Sequence, residues 1–288
     1  MKFWEIEDAS KSDYQHVFIS GTIDHPYRLP IVDCEKCGVM VGPVYEVTLP
    51  FECPPALRKI ALLRDHDVRI TVEEFKALRK KAAAKLPKRA VARLVPQARL
   101  QPGFLDIPSF PQDDFLWHGV SSLAVSEMVK RELKKLKVAG IEFYPCTPRR
   151  IGRRPAKSSP RIPKSGEPED IMREFKSGKA DIPNYFQLII TAESAYPPGS
   201  EPKSFCDACG EPLGVDWGII GNAWKNLSPE VIASIAGGLD IFRIRHHGGI
   251  YVTDRLKSAL EAMGATNVCF TPFPRLPIPK PSRKPMKS

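Results

Sequence analysis

Two copies of one short pattern, Cys34-Glu35-Lys36-Cys37-Gly38 and Cys206-Asp207-Ala208-Cys209-Gly210, constrain this chain more than any other feature. They stand 172 residues apart. A CxxC turn points two sulfurs the same way, about 2.3 Å from a shared ion, and the glycine after the second cysteine supplies the backbone freedom that the turn needs. Two such turns complete a tetrahedron, so Cys34, Cys37, Cys206 and Cys209 are the candidate metal ligands, with structural zinc the expected ion and iron an alternative. Separate CxxC sites, a redox pair and vestigial knuckles remain open as alternatives. A redox pair would sit at a helix N-terminus, whereas both knuckles run on into glycine and proline at Gly42-Pro43 and Pro212-Leu213-Gly214.

The flanks repeat as well. Sliding the chain by the knuckle spacing lays Gln15 on Gln187, Pro26 on Pro198, Pro30 on Pro202 and Gly42 on Gly214, and sets Val17-Phe18-Ile19 on the strand-like Ile189-Ile190-Thr191. At a shorter offset, Val125-Ser126-Glu127 through Phe143-Tyr144-Pro145 matches Val252-Thr253-Asp254 through Phe270-Thr271-Pro272, with Lys130/Lys257 and Leu133/Leu260 identical, and His118-Gly119 echoes His247-Gly248. Each of these segments reads as an N-cap, an acid, an amphipathic helix, a turn and a strand stopped by proline. The expected fold class is therefore α+β. It comprises two divergent repeated halves, each strand–CxxCG knuckle–helix–strand, joined through a shared zinc-ribbon-like four-cysteine site.

Composition sets the boundaries. The chain has 288 residues, 42% hydrophobic and 26% charged, enough for one large or two small cores, and its 29 prolines favour many short strands and turns. The organisation read from this is a first half over 1–145 with an extra helix, a basic Pro-rich linker over 146–180, a second half over 181–274, and a disordered basic tail over 275–288. The start carries no apolar leader, and no run of about 18 apolar residues occurs, so a cytoplasmic protein with no membrane association is expected. Seven cysteines without an export signal favour reduced thiols and metal over disulfides. Among the other elements, Thr71-Val72-Glu73-Glu74 opens a helix running to about Lys85, Ser228-Pro229 opens a shorter one, and Leu239–Ile244 alternates as a half-buried strand.

Catalytic patterns are sparse. Cys53, Cys146 and Cys269 have no partner at metal spacing and read as small buried hydrophobes. His246-His247 would point to opposite faces of a strand, and no nucleophile elbow, P-loop or dinucleotide glycine pattern accompanies them. The chain is therefore read as having no catalytic residue and as no enzyme. Its formal charge of +10 lies largely in the linker run Arg149–Lys164 and in the tail, away from the aromatics. Nucleic acid is thus disfavoured as a partner but forms the runner-up: a zinc-ribbon nucleic-acid-binding or regulatory protein using the basic linker.

The double CxxCG pattern, with Lys2–Ile6, the Val32–Gly38 and Phe205–Gly210 knuckles and the late segment Gly249–Leu256, resembles the myxobacterial double-CXXCG paralogous family over nearly the whole chain, to about Pro274. Members are described as immunity proteins of the Sit type, antitoxins that protect kin from a polymorphic lipoprotein toxin. The resemblance implies that this chain neutralises a cognate toxin by direct protein–protein binding, in kin discrimination, with all four family cysteines present. It names no catalytic residue and no interface residue, and leaves the oligomeric state open.

Overall fold

A computed structural model describes residues 2–9, 22–42, 47–58, 69–84, 86–91, 93–107, 113–118, 122–150, 184–196, 198–199, 201–213, 227–244 and 249–274. The candidate strand Val17–Ile19, the His246-His247 pair, and most of the linker and tail lie outside these residues. Within them the architecture is mixed α+β, with four helices longer than one turn and several sheets.

Helices form where the sequence caps them. Helix α1 (Val72–Ala83) starts at a capping box in which Thr71 Oγ1 accepts from Glu74 N–H and the Glu74 carboxylate accepts from Thr71 N–H. It ends two residues short of the expected boundary. Helix α2 (Glu127–Lys135) is capped by Ser126, α3 (Pro229–Ala236) by Ser228 with proline at its first position, and α4 (Asp254–Ala262) by Thr253.

The strands among the described residues, in chain order, are β1 (Phe3–Glu7), β2 (Thr22–Asp24), β3 (Tyr27–Arg28), β4 (Ile31–Asp33), β5 (Met40–Val41), β6 (Thr48–Glu52), β7 (Arg69–Ile70), β8 (Arg99–Gln101), β9 (Gly103–Ile107), β10 (Phe115–His118), β11 (Ser122–Ser126), β12 (Ile141–Arg150), β13 (Tyr185–Ile190), β14 (Ser204–Phe205), β15 (Pro212–Leu213), β16 (Ile241–Arg243), β17 (Ile250–Thr253) and β18 (Cys269–Phe273). Two sheets dominate, in the orders β10-β11-β13-β12-β9-β2 and β16-β17-β1-β18. Small sheets β3-β8-β6 and β5-β4-β7 and the β14-β15 hairpin surround the knuckles. Cys146–Arg150, assigned to the linker by composition, continue β12 and pair in parallel with β9.

The two large sheets correspond closely. In one, the β10–β11 hairpin runs through Ser126 into α2 and on to β12; in the other, β16–β17 runs through Thr253 into α4 and on to β18. Ser126 N–H donates to Asp114 O at 2.9 Å and its hydroxyl to Asp114 Oδ1 at 2.6 Å; Thr253 makes the same pair of bonds to Asp240 at 2.9 and 3.1 Å. Both helices close alike, with Val138 N–H on Leu133 O and Ala265 N–H on Leu260 O. The Ser126→Ala and Thr253→Ala substitutions should therefore each cost about 1 kcal/mol, with matching shifts in denaturant midpoint.

The pairing interleaves the two segments, so that neither closes its sheet with its own strands alone. Strand β13 lies between β11 and β12, and β1 lies between β17 and β18. The reason is backbone satisfaction. A strand–helix–strand crossover leaves β17 and β18 parallel and one strand apart, and β1 runs antiparallel to both and supplies their missing hydrogen bonds.

A central core joins both sheets. Val125, Val129 and Leu133 pack in one cluster with Val252, Leu256 and Leu260, and with Ile6 and Leu188 from the inserted strands. On the far face of β16–β17, Phe3, Phe242 and Tyr251 pack with Ile232 and Ala236 of α3. With both faces covered, β16 is fully buried rather than half-buried, and even Arg243 is 4% exposed. Backbone bonds from Ser194 N–H to Arg243 O and from Arg243 N–H to Ala192 O tie the end of β13 to β16. A third core, with Phe75, Leu78, Leu49, Leu94 and Leu100, contains Cys34 and Cys206.

Candidate metal centre

Each knuckle grows from a short hairpin. Asp33 pairs with Met40 in β4–β5, and Phe205 pairs with Pro212 in β14–β15, at equivalent positions about the cysteines. Gly38 N–H donates to Cys34 O and Gly210 N–H to Cys206 O, both at 2.7 Å; the cysteine amides close the loops onto Val39 O and Glu211 O. Gly38 and Gly210 hold φ of 70° and 77°, the left-handed region where a Cβ is strained. No neighbour lies within 4 Å of a Cβ built at either glycine, so the requirement is conformational rather than steric.

The four candidate ligands meet. Their sulfurs all lie within 4.8 Å of one another, with Cys34 Sγ 3.8 Å from Cys206 Sγ and Cys37 Sγ 3.7 Å from Cys209 Sγ. A disulfide would need about 2.05 Å, and all seven cysteines are free. A tetrahedron with zinc–sulfur bonds of about 2.3 Å has edges of about 3.8 Å. The two measured edges, each joining one knuckle to the other, fit that figure.

Both knuckles are held from outside the sulfurs. Lys36 Nζ donates to Asp207 Oδ2 at 2.6 Å, which raises the ammonium pKa and lowers that of the carboxylate. Both side chains are well exposed, so this pair orients the knuckles more than it stabilises them. Glu211 Oε1 accepts from Gly42 N–H at 3.2 Å, while burial raises the pKa of its carboxyl. Neither tie was legible in the sequence, because nothing local relates residue 36 to 207 or 42 to 211. Within the cluster the Cys209 backbone N–H brings the Cys206 thiol down to about 7, and burial pushes Cys209 up to about 12. An ion binding all four must displace the remaining protons, so affinity falls as the solution is acidified.

Four protein thiolates fill a tetrahedral shell and leave no position for water or substrate, which is the arrangement of a structural centre. No family model matches the chain, and no curated protein matches it.

The other cysteines stand apart from the centre. Cys53 and Cys146 are buried, and burial pushes their thiols to about 11 and about 12, away from the range of reactive thiolates. Cys269, in β18, is part-buried and donates to Glu7 O at 3.5 Å. Among the described residues, no helix is long and apolar enough to cross a membrane.

Proposed function

We propose that this chain is an immunity protein that neutralises one cognate toxin by binding it directly, with no catalysis of its own and with zinc held by Cys34, Cys37, Cys206 and Cys209 as a structural clamp. The resemblance of the double CxxCG pattern supports the immunity role. The observation that carries the clamp is the pair of sulfur–sulfur edges, 3.8 and 3.7 Å, running from one knuckle to the other. On this reading the chain is two divergent halves meeting at the ion, and it works in the cytoplasm, where thiols stay reduced. The equivalent capping bonds at Ser126 and Thr253 support the two-half description.

A binding role draws support from a cleft of about 560 Å³ beside the centre, lined by Cys209, Glu211, Phe75, Leu94, Arg79 and Arg243. Phe205 also lines it and is 55% exposed, the kind of aromatic that anchors protein interfaces.

Co-expression with the product of the adjacent gene, tested as the toxin in a neutral host, decides the matter. Rescue of growth and a complex that survives gel filtration are the expected results. An active toxin with neither rescue nor complex overturns the immunity reading. Salt-sensitive RNA or DNA binding that weakens when Arg149 and Arg150 are neutralised would then favour the regulatory alternative.

A further inference from the structure

We infer that the two large sheets are reciprocal strand acceptors, so that the chain is an interlocked pair in which the first strand of each half completes the sheet of the other. The slot in the first half lies between β11 and β12, and its occupant, Tyr185–Ile190, comes from beyond the linker. The slot in the second half lies between β17 and β18, and its occupant, Phe3–Glu7, comes from the start of the sequence. Neither slot is filled from its own hairpin–helix–strand unit.

The two occupants sit in matching registers. Tyr185 faces the helix cap Ser126, and Phe3 faces the cap Thr253. Phe186 lies between Val125 and Pro145, as Trp4 lies between Val252 and Pro272; Gln187 lies between Ala124 and Tyr144, as Glu5 lies between Tyr251 and Thr271. Side chains repeat the correspondence. Lys130 of α2 stands 3.3 Å over the Phe186 ring, and Lys257 of α4 stands 4.6 Å over the Trp4 ring. Two residues on, Leu188 and Ile6 enter the same central core.

Each slot therefore recognises an extended segment of one pattern, aromatic, aromatic, polar, aliphatic, with the second aromatic under a lysine and the aliphatic side chain in the core. Main-chain bonds on both sides of the segment supply affinity, as in strand addition to an open sheet, and the alternating pockets supply selectivity. The occupant is the chain's own opposite half. Each donor leads toward its half's knuckle, β1 toward Cys34 and β13 toward Cys206, so the halves cross at the strands and meet again at the sulfurs. Interlocking makes the halves one cooperative unit even with the ion removed. The inference does not depend on the immunity reading, and failure of toxin neutralisation leaves it untouched.

The test uses the full chain with a specific protease site placed between residues 151 and 183. After cleavage and treatment with a zinc chelator, the two pieces should co-elute as one species of the intact size. They should part only at the denaturant concentration at which far-ultraviolet circular dichroism is lost. Recovery of two separate folded pieces overturns the inference. A second arm repeats the cleavage in Glu5→Pro, which removes a ladder donor from the middle of β1. The cut variant should part at a clearly lower denaturant concentration than the cut parent; equal resistance would show that β1 does not lock the halves and would also overturn it.

Discussion

The purified chain is expected to contain one zinc ion, and Cys206→Ser is expected to lose it together with a large part of the stability. The clamp ties together residues 172 apart in sequence, and cross-linking a loop of that order is worth about 5 kcal/mol in chain entropy alone. Zinc binding to isolated small domains reaches about 10–16 kcal/mol, but those domains are unfolded without metal, whereas this chain has apolar cores besides the one that contains Cys34 and Cys206. A loss of about 5 kcal/mol corresponds to a fall in melting temperature of roughly 10–20 °C. Elemental analysis of parent and variant, with thermal melts before and after chelation, checks both parts. Cys34→Ser should behave like Cys206→Ser, since each removes one vertex of the same tetrahedron. Iron in place of zinc would appear in the same elemental analysis. A parent without metal, with a variant that melts at the parent's temperature, would falsify the clamp.

Ile6→Ala should lower stability by about 2–5 kcal/mol, a large effect for a residue so near the start of the sequence. End segments usually fray and tolerate change. Here Ile6 is 4% exposed in the central core, on a strand paired along both edges. Truncating it removes apolar burial and leaves a cavity that two sheets and two helices would have to collapse to fill. Met40→Ala, at a position 53% exposed, should cost almost nothing and serves as the control. Chemical denaturation of the two variants and the parent measures both; a loss under about 1 kcal/mol for Ile6→Ala would mean that β1 is not held in the interior.

Much of the local structure was legible because local rules act over a few residues. Thr71 with Glu74, Ser126, Ser228 and Thr253 announced helix starts, and all four are caps. Register was a different matter. The knuckle spacing laid Val17–Ile19 on the strand around Ile189, whereas the strand with the same pairing as Tyr185–Ile190 is Phe3–Glu7. The connections from strand to knuckle differ in length, and a single offset does not carry across such a difference. Arg243 misled for another reason. Alternation from Leu239 to Ile244 implied an open face, whereas α3 covers the strand on its Phe242 face, the central core packs on its Ile241 face, and Ala192 and Ser194 bond along its edge.

The sequence by itself determined the four thiols, the glycines that let each turn close, the helix caps and the likeness of the two hairpin–helix–strand segments, because each rests on side-chain chemistry or backbone sterics within one short stretch. Tertiary structure alone decided that the knuckles meet through cross-edges of 3.8 and 3.7 Å, that Lys36 reaches Asp207, and that β1 and β13 cross into opposite sheets. Strand pairing is made by backbone groups that every residue carries, so the partner of Trp4, some 250 residues away at Val252 to Asp254, is selected by which slot is open and which core can be filled rather than by any local signal.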